Sequence, residues 1–394
     1  MAIVGAGPAG SAAALRVRQL RPDARVVLLD RADFPRDKAC GDGIAWHGVD
    51  ELALLGVPDL IADYRPVQWL RVVSPGGTVA AARSPRPNHV VPRRVFDARL
   101  VAAAVDRGVQ LRRHRVRTVT PRGPVVVLDG QITARVVIAA DGANSVVRRQ
   151  LGLAPTPEKH TAIAVRGYAD VPAGDRHEQR IAMQAAGWPA YAWSFPIGDG
   201  TANVGFGMLL PRLREAGAPG REVLHGRLAA LLPDLPARQL LAHHLPLSSG
   251  RPRPGHGRVL LAGDAASLIN PLTGEGIFYA LLSGRLAAEA AVGAPDAPLP
   301  AYRRALRDRL GRHLLTTDIL TRAAQSPGFI DAAVAVAARR QDVFDVLIDI
   351  GLGAGTVPPR LAASVARRWV GNSLRARAFR GSRDPREPGV VSAP

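Results

Sequence analysis

The first ten residues constrain this chain most. Met1-Ala2-Ile3-Val4 forms a short buried strand, and Gly5-Ala6-Gly7-Pro8-Ala9-Gly10 follows it without a spacer. A helix of small residues then runs from Ser11 to about Leu20, and an apolar strand over Arg25–Leu29 ends at Asp30. Together they make a βαβ unit with GxGxxG at the turn and an acidic residue twenty positions after the last glycine. Each part has a physical job. Gly5 and Gly7 permit a tight turn and bring bare backbone to a pyrophosphate, with Ala9 small beside them. Gly10 lets the helix lie close on the sheet. The helix N-terminus points its N–H groups at the phosphates, and Asp30 accepts the hydroxyls of an adenosine ribose. An acid there disfavours a 2′-phosphate, so FAD or NAD suits this loop better than NADP.

Composition excludes other classes. The 394 residues carry a net charge of +19, and Lys38 and Lys159 are the only lysines. Such a charge attracts polyanions, but its near-total reliance on arginine marks much of it as background composition. Aromatic residues make up 5% and no zinc-finger or RNP signature occurs, so no nucleic-acid partner is expected. Cys40 is the single cysteine, which excludes an internal disulfide and a cysteine-rich metal site. His243-His244 has no carboxylate or His at metal spacing, and no metal is expected. No GxSxG elbow is present. No apolar run approaches the roughly 18 residues of a membrane span. Met1–Val4 enters the glycine loop without the flanks of an export signal, so a cytoplasmic protein is expected.

Residues 66–92 read as short β segments broken by the turn cluster Ser74-Pro75-Gly76-Gly77. Phe96–Asp106 reads as a helix, and Val109–Val119 and Val125–Leu128 as strands. Ala134–Ala140 is a buried strand that ends in Asp141-Gly142, and Arg258–Ala262 is another that ends in Gly263-Asp264. Residues 161–210 and 240–250 read as mostly β. A small-residue helix runs from about Glu275 to Ala291, and the chain from Pro300 is helical and Arg-rich. Gly351-Leu352-Gly353-Ala354-Gly355 follows a helix and precedes Pro358-Pro359, so it reads as a helix stop and not as a second nucleotide loop.

Three loops of one kind therefore stand in order at the carboxyl ends of apolar strands, where open α/β sheets bind their ligands. They are the GxGxxG loop, Asp141-Gly142 and Gly263-Asp264. This trio resembles the FAD-dependent oxidoreductases related to para-hydroxybenzoate hydroxylase. The resemblance implies that the first loop holds the FAD pyrophosphate, that the second serves FAD and often NAD(P)H, and that Asp264 accepts a ribityl hydrogen bond. In Ala265–Ile277 the segment Pro271–Gly276 is a tight loop that opens a helix. Backbone N–H groups around Gly274, Gly276 and Ile277 suit the flavin N1/C2 carbonyl, and a positive helix end there favours reduced flavin. The expected fold is α/β: a Rossmann-like FAD-binding domain built from separated segments, an inserted β-sheet substrate domain and a C-terminal helical region. The expected boundaries are 1–65, 92–150 and 252–295 for the FAD domain, 66–91 and 151–251 for the β-rich domain, 296–381 for the helices, and 382–394 for a disordered tail.

Two further stretches narrow the family. Phe34-Pro35-Arg36-Asp37-Lys38-Ala39-Cys40-Gly41-Asp42-Gly43 follows Asp30, and Tyr191-Ala192-Trp193-Ser194-Phe195-Pro196 lies in the β region. An FPRxKxCGxG loop with a YxWxFP strand is similar to the geranylgeranyl reductase family. That resemblance implies reduction of prenyl C=C bonds and places Cys40 and Gly41 near isoprenoid and flavin. Cys40 there either positions substrate or delivers a proton, or it is an inert, half-buried thiol. Tyr191, Trp193 and Phe195 alternate and share one strand face, which serves either as core or as a pocket wall; the family match favours the wall, with Tyr191 and Trp193 in the catalytic set. Gly205 and Gly207 leave room for a ligand or mark a bulge. Arg36 is a candidate for the FAD pyrophosphate. Arg93, which matches the family's RxxFD arginine, is the better candidate for a flavin-side contact.

Rival readings share the FAD frame. A flavin halogenase calls for a WxWxIP strand and a substrate-domain lysine, and neither is present. An FAD-dependent monooxygenase of an aromatic, polyketide or terpenoid substrate remains the alternative, and a membrane-surface flavoprotein with another redox role is a lesser one. The electron donor expected is NAD(P)H, with a ferredoxin as the substitute. Residues 360–394 hold eight arginines against Asp384 and Glu387. The favoured reading of 360–380 is a helix packed on its own domain; the other lays Leu361, Val365 and Trp369 on an anionic membrane at the inner face. The oligomeric state is open.

Overall fold

The computed structural model describes residues 1–172, 174 and 177–381, with the backbone alone for 371–381. The expected disordered tail, 382–394, lies outside the described residues. Along the chain the elements are β1 (Ala2–Val4), α1 (Pro8–Leu20), β2 (Val27–Asp30), β3 (Gly43–Ile44), α2 (Trp46–Leu54), β4 (Val67–Val73) and β5 (Val79–Val90). Then come α3 (Arg93–Asp106), β6 (Gln110–Arg113), β7 (Val119–Arg122), β8 (Val125–Leu128), β9 (Ile132–Ala134), β10 (Val137–Ala139) and α4 (Val146–Gln150). The middle of the chain holds β11 (Thr161–Asp170), β12 (Glu178–Met183), β13 (Ala190–Pro196), β14 (Thr201–Leu209), α5 (Leu210–Glu215), α6 (Gly220–Leu231) and β15 (Arg238–Pro246). It ends with β16 (Gly255–His256), β17 (Val259–Leu261), α7 (Ile277–Gly293), α8 (Pro298–Ala323), α9 (Pro327–Ala337), α10 (Gln341–Leu352) and α11 (Pro359–Gly381).

The first sheet has the order β16-β17-β10-β1-β2-β6. Every pair in it is parallel except β16 with β17. From β1 the chain goes to β2 on one side and later returns to β10 on the other, so β1 marks the switch point where such sheets bind ligands. All three glycine loops leave this sheet at carboxyl ends. Its inner strands β1, β10 and β17 are fully buried three-residue apolar runs and β2 is nearly so, as a sheet covered on both faces requires, whereas the edge strand β6 is exposed. Helices α1 and α7 pack face to face because both are small there: a Cβ on Gly284 would lie 2.1 Å from the Ala9 carbonyl oxygen.

The second sheet has the order β15-β11-β14-β13-β12-β4-β5-β3, and a small sheet, β7-β8-β9, flanks the first. Gly43–Ile44, expected in the FAD-domain segment 1–65, pairs with Val90 and His89 of the second sheet. The stretch 151–251 includes helices α5 and α6 besides its strands. The expected strand Val109–Val119 pairs with β2 only over Gln110–Arg113. The chain then leaves the sheet: His114 closes it by donating its N–H to the Asp30 carbonyl, 2.7 Å away. Residues 132–139 form two strands in two sheets where one was expected. The helix expected from Phe96 begins at Arg93, directly after Pro92.

Helices α9, α10 and α11 cover one face of the second sheet through a separate apolar cluster. It joins Trp46, Leu70 and Ala80 to Ala333, Phe344, Leu361 and Val365. Trp369 packs edge-on against Phe329, with ring centroids 5.6 Å apart. The first part of α11 thus lies on its own domain. No described helix is long and apolar enough to cross a membrane.

Candidate functional site

The glycine loop is dictated by close approach. Gly5 has φ +97°, and a Cβ there would lie 2.2 Å from the Ala140 carbonyl oxygen. A Cβ on Gly10 would lie 1.8 Å from the Gly5 carbonyl oxygen. Gly7 caps α1 without a side chain, and the Arg36 and Arg93 guanidinium groups stand 3.6 and 3.8 Å from where its Cβ would be. Bare N–H groups, a helix N-terminus and two guanidinium groups therefore meet at one point, a donor set suited to a pyrophosphate. Asp30 ends β2 nearby. Its carboxylate accepts the Ala6 N–H at 2.8 Å and the Ala32 N–H at 3.0 Å.

Arg93 is buried, and Asp97 holds it with two hydrogen bonds of 2.6 and 2.8 Å. Burial alone would lower the Arg93 pKa, but Asp97 outweighs it and locks the guanidinium charged. Arg36 shares the same carboxylate at 3.2 Å. The two arginines are thus aimed by one aspartate, Asp97, the acid of the RxxFD stretch itself.

The other loops close the far side. Asp141 accepts the Ser145 hydroxyl at 2.6 Å and the Val147 N–H at 3.1 Å, so its carboxylate fixes the start of α4. Gly142 beside it has φ +80°. Gly263, with φ +59°, seats against Ala9 and Ala280 and ties the first and third loops together. Asp264 accepts a hydrogen bond from Lys38 at 3.1 Å and lies 4.0 Å from His243. Burial raises the Asp264 pKa, and Lys38, through its charge and its hydrogen bond, overcomes that and leaves it low. Burial, reinforced by Lys38, pushes His243 down to about 4, and its Nε2 is buried without a partner. A neutral imidazole nitrogen aimed into the site is an open position for a ligand. Gly274 lies under the Tyr191 hydroxyl, Gly276 precedes α7, and Ile277 is the first residue of that helix.

The aromatic strand and the cysteine loop face each other. Tyr191, Trp193 and Phe195 form one row, with centroids 5.9 and 6.4 Å apart. Gly41 packs on Trp193 and Phe195, each 3.5 Å from its Cβ position. The room left by Gly205 is taken by protein: a Cβ there would lie 2.2 Å from the Trp193 ring, so this glycine seats the indole and leaves no ligand space. Gly207 does line the cavity.

Behind this wall lies a buried polar network that the motifs did not reveal. The register sets Trp193 and Arg166 opposite Gly205, and Phe195 and Tyr168 opposite Asn203. Trp193 Nε1 donates to Asn203 Oδ1 at 2.8 Å. Asn203 Nδ2 donates to the Cys40 carbonyl at 2.8 Å and to Asp42 at 2.7 Å. Tyr168 donates to Asp42 at 2.8 Å, and Arg166 donates to Asp37 at 2.6 Å. Burial pushes Asp42 up to about 6 against these donors. The signal was present as polar residues at inward positions of β11 and β14, but their partners in the cysteine loop lie more than a hundred residues away. Asn203→Ala leaves the Cys40 carbonyl and the Trp193 indole N–H unsatisfied, at about 1–3 kcal/mol for each buried group, and removes one of the donors to Asp42. Loosening the loop by only 1.4 kcal/mol is expected to speed modification of Cys40 by about tenfold. Cys40 is the single thiol, so the release of thionitrobenzoate reads this directly.

One continuous cavity of about 1170 Å³ joins these parts. It runs from Gly5, Gly7 and Asp30 past Cys40, Asp264 and the aromatic row, and on beneath α9–α11. There its lining turns apolar, with Phe329, Ala333, Phe344, Leu347, Leu361 and Val365. The region after residue 300, which carried no motif, is therefore the roof of the site. The loop Gly351–Gly355 ends α10 as expected, and it also docks on the Pro271–Gly276 loop: Thr273 donates its hydroxyl to the Gly351 carbonyl. Among the described residues no group of three His, Cys, Asp or Glu is placed to hold a metal ion.

Comparison with known proteins agrees with this geometry. Residues 1–186 match the family model described as FAD binding domain. A menaquinone reductase of Mycobacterium tuberculosis is 32% identical over 96% of this chain and 94% of its own length. Digeranylgeranylglycerophospholipid reductase 1 of Methanopyrus kandleri is 34% identical over 74% of this chain and 80% of its own. The crystal structure of a geranylgeranyl bacteriochlorophyll reductase-like protein of Thermoplasma acidophilum superposes with a TM-score of 0.77 at 21% identity, covering 95% of this chain and 98% of that one, which shows the fold. With three FAD-type loops at the strand ends and a relative above 30% identity along nearly the whole chain, this protein belongs to the geranylgeranyl reductase family of FAD-dependent oxidoreductases.

Proposed function

We propose that this enzyme reduces C=C bonds in the prenyl chain of a lipid-soluble substrate, with a prenylated quinone as the favoured class. The observation that carries the reading is the cavity, which joins the FAD loops to an apolar chamber walled by Tyr191, Trp193 and the helices α9–α11. The relative matched along nearly its full length is named for a quinone, and others are named for prenyl lipids. Bound FAD, once reduced, supplies the hydride. Gly5, Gly7, Ala9 and Gly10 hold its pyrophosphate by backbone contacts, aided by Arg36 and Arg93. Asp30 takes the adenosine ribose. Asp141 and Gly142 border it on the second loop, and Gly263 and Asp264 meet the ribityl chain. Gly274, Gly276 and Ile277 face the flavin N1/C2 edge, and Cys40 and Gly41 border flavin and prenyl chain together. NAD(P)H is the proposed reductant, binding transiently because the chain has one dinucleotide loop.

Burying one five-carbon prenyl unit from water is worth about 4 kcal/mol at ~0.8 kcal/mol per carbon. The substrate comes from a membrane, where its chain is already in hydrocarbon, so little of that remains as net affinity. Shape therefore selects the substrate, and a membrane-side approach by the Arg-rich stretch 360–380 fits this. The test is anaerobic incubation of purified enzyme with NAD(P)H and prenylquinone in detergent, read by mass spectrometry. The expected product has gained two hydrogens. A product that forms only with oxygen and carries an added oxygen atom would establish a monooxygenase in its place.

A further inference from the structure

Adding hydride to an isolated alkene requires a proton at the neighbouring carbon, and the motifs offer only Cys40 as a candidate for the acid. Asp37 and Asp264 line the cavity but are ion-paired with Arg166 and Lys38, which leaves Cys40, Tyr191, Asp42 and Glu275 as the acidic side chains to weigh beside the aromatic row. Burial pushes the Cys40 thiol up, more than Arg93 pulls it down, which makes it a weak acid. Tyr191 donates its proton to the Thr273 carbonyl, and burial raises its pKa further. Asp42 has no exposed surface and is held as an acceptor by Tyr168, Asn203 and the Arg93 N–H. Glu275 differs from all three. It stands between Gly274, which lies under the Tyr191 hydroxyl, and the start of α7. Its Oε1 accepts the Phe278 N–H at 2.8 Å, and no side chain among the described residues donates to its carboxylate.

Resting on the reaction proposed above, we propose that Glu275 is the acid that protonates the alkene carbon next to the one receiving hydride. One C–H bond forms from the hydride with its electron pair, supplied by reduced flavin. The π electrons of the alkene take the Glu275 proton and form the other. Flavin is left oxidised, and the Glu275 carboxylate regains a proton from solvent. The N–H groups at the head of α7 and the positive helix end stabilise the carboxylate left behind. Burial works the other way and pushes Glu275 up to about 7, against the N–H groups of Phe278, Ile277 and Gly276. An acid with a pKa near working pH is the one best matched to proton transfer. The titratable groups facing it are Tyr191 from β13 and Tyr279 on its own helix, with Cys40 beyond Tyr191; no cation contributes to its shift.

The test compares wild type, Glu275→Gln and Glu275→Asp. In FAD-free protein labelled with carbon-13 at glutamate carboxyls, one signal is expected to titrate near 7 and to be absent from Glu275→Gln. In FAD-loaded protein, reduction of the flavin is followed separately from its anaerobic reoxidation by prenylquinone. Glu275→Gln is expected to be reduced at the wild-type rate and to reoxidise about 100-fold more slowly or worse. Glu275→Asp is expected to recover part of that loss. Wild-type reoxidation should fall as pH rises through about 7, and this limb should be missing in Glu275→Gln. Reoxidation of Glu275→Gln at the wild-type rate with the same pH limb overturns the proposal and leaves the reaction standing. A wild type that no prenyl alkene reoxidises overturns the reaction, and the proposal with it.

Discussion

Gly10→Ala is expected to yield a protein that no longer retains FAD. A Cβ at this position falls 1.8 Å from the Gly5 carbonyl oxygen, 3.0 Å from its carbon and 3.3 Å from the Ala140 Cβ. Backbone atoms cannot rotate aside, so α1 must lift from the loop. The N–H groups at its head then no longer converge on the pyrophosphate. Affinity for FAD should fall by at least about 100-fold, or roughly 2.7 kcal/mol, measured by quenching of FAD fluorescence in a titration of apoprotein. Gly123→Ala is the control. Gly123 lies in the β7–β8 turn away from the cavity and has φ +56° with open space around it, so alanine there adds only left-handed strain of about 1–2 kcal/mol. Equal losses in the two variants would show that close approach is not what Gly10 provides.

Arg93→Ala is expected to destabilise the fold by about 3 kcal/mol, the scale for breaking a buried ion pair. The cost comes from Asp97, which has no exposed surface and loses two hydrogen bonds. Arg36 remains 3.2 Å away and limits the damage while it is drawn from the glycine loop. FAD affinity should therefore fall as well, from the loss of one guanidinium and the displacement of the other. Urea unfolding followed by tryptophan fluorescence measures the first effect. The double variant Arg93→Ala/Asp97→Ala separates the two: stability should return in large part, because no charge is left buried, whereas FAD affinity should not. A double variant no more stable than the single one would sink this account.

How much was legible in the sequence follows from the range of each constraint. Gly5, Gly10 and Asp30 act within one βαβ unit, so spacing alone exposes them. Gly263-Asp264 and Pro271–Gly276 are equally local, and each fixes its own backbone. Gly205 shows the limit. Its lack of a side chain was visible, but only the pairing of β13 with β14 sets it beneath Trp193 and shows that protein fills the gap. Asp42, Tyr168 and Asn203 look ordinary in their own strands. They become one network because β11 and β14 bring Tyr168 opposite Asn203 and both against the cysteine loop.

The sequence by itself determined the cofactor frame: three glycine loops at strand ends, their order, and the family that carries them. Tertiary structure decided what stands around that frame. It made a motif-free C-terminal region the apolar roof of the cavity, through the packing of α9–α11 on the second sheet. It aimed Arg36 and Arg93 through one buried carboxylate, and it left Glu275 in the cavity without a cation. The physical reason is one of distance along the chain. Turn geometry and helix starts are written in a few adjacent residues, whereas a buried carboxyl's proton affinity depends on everything that packs around it.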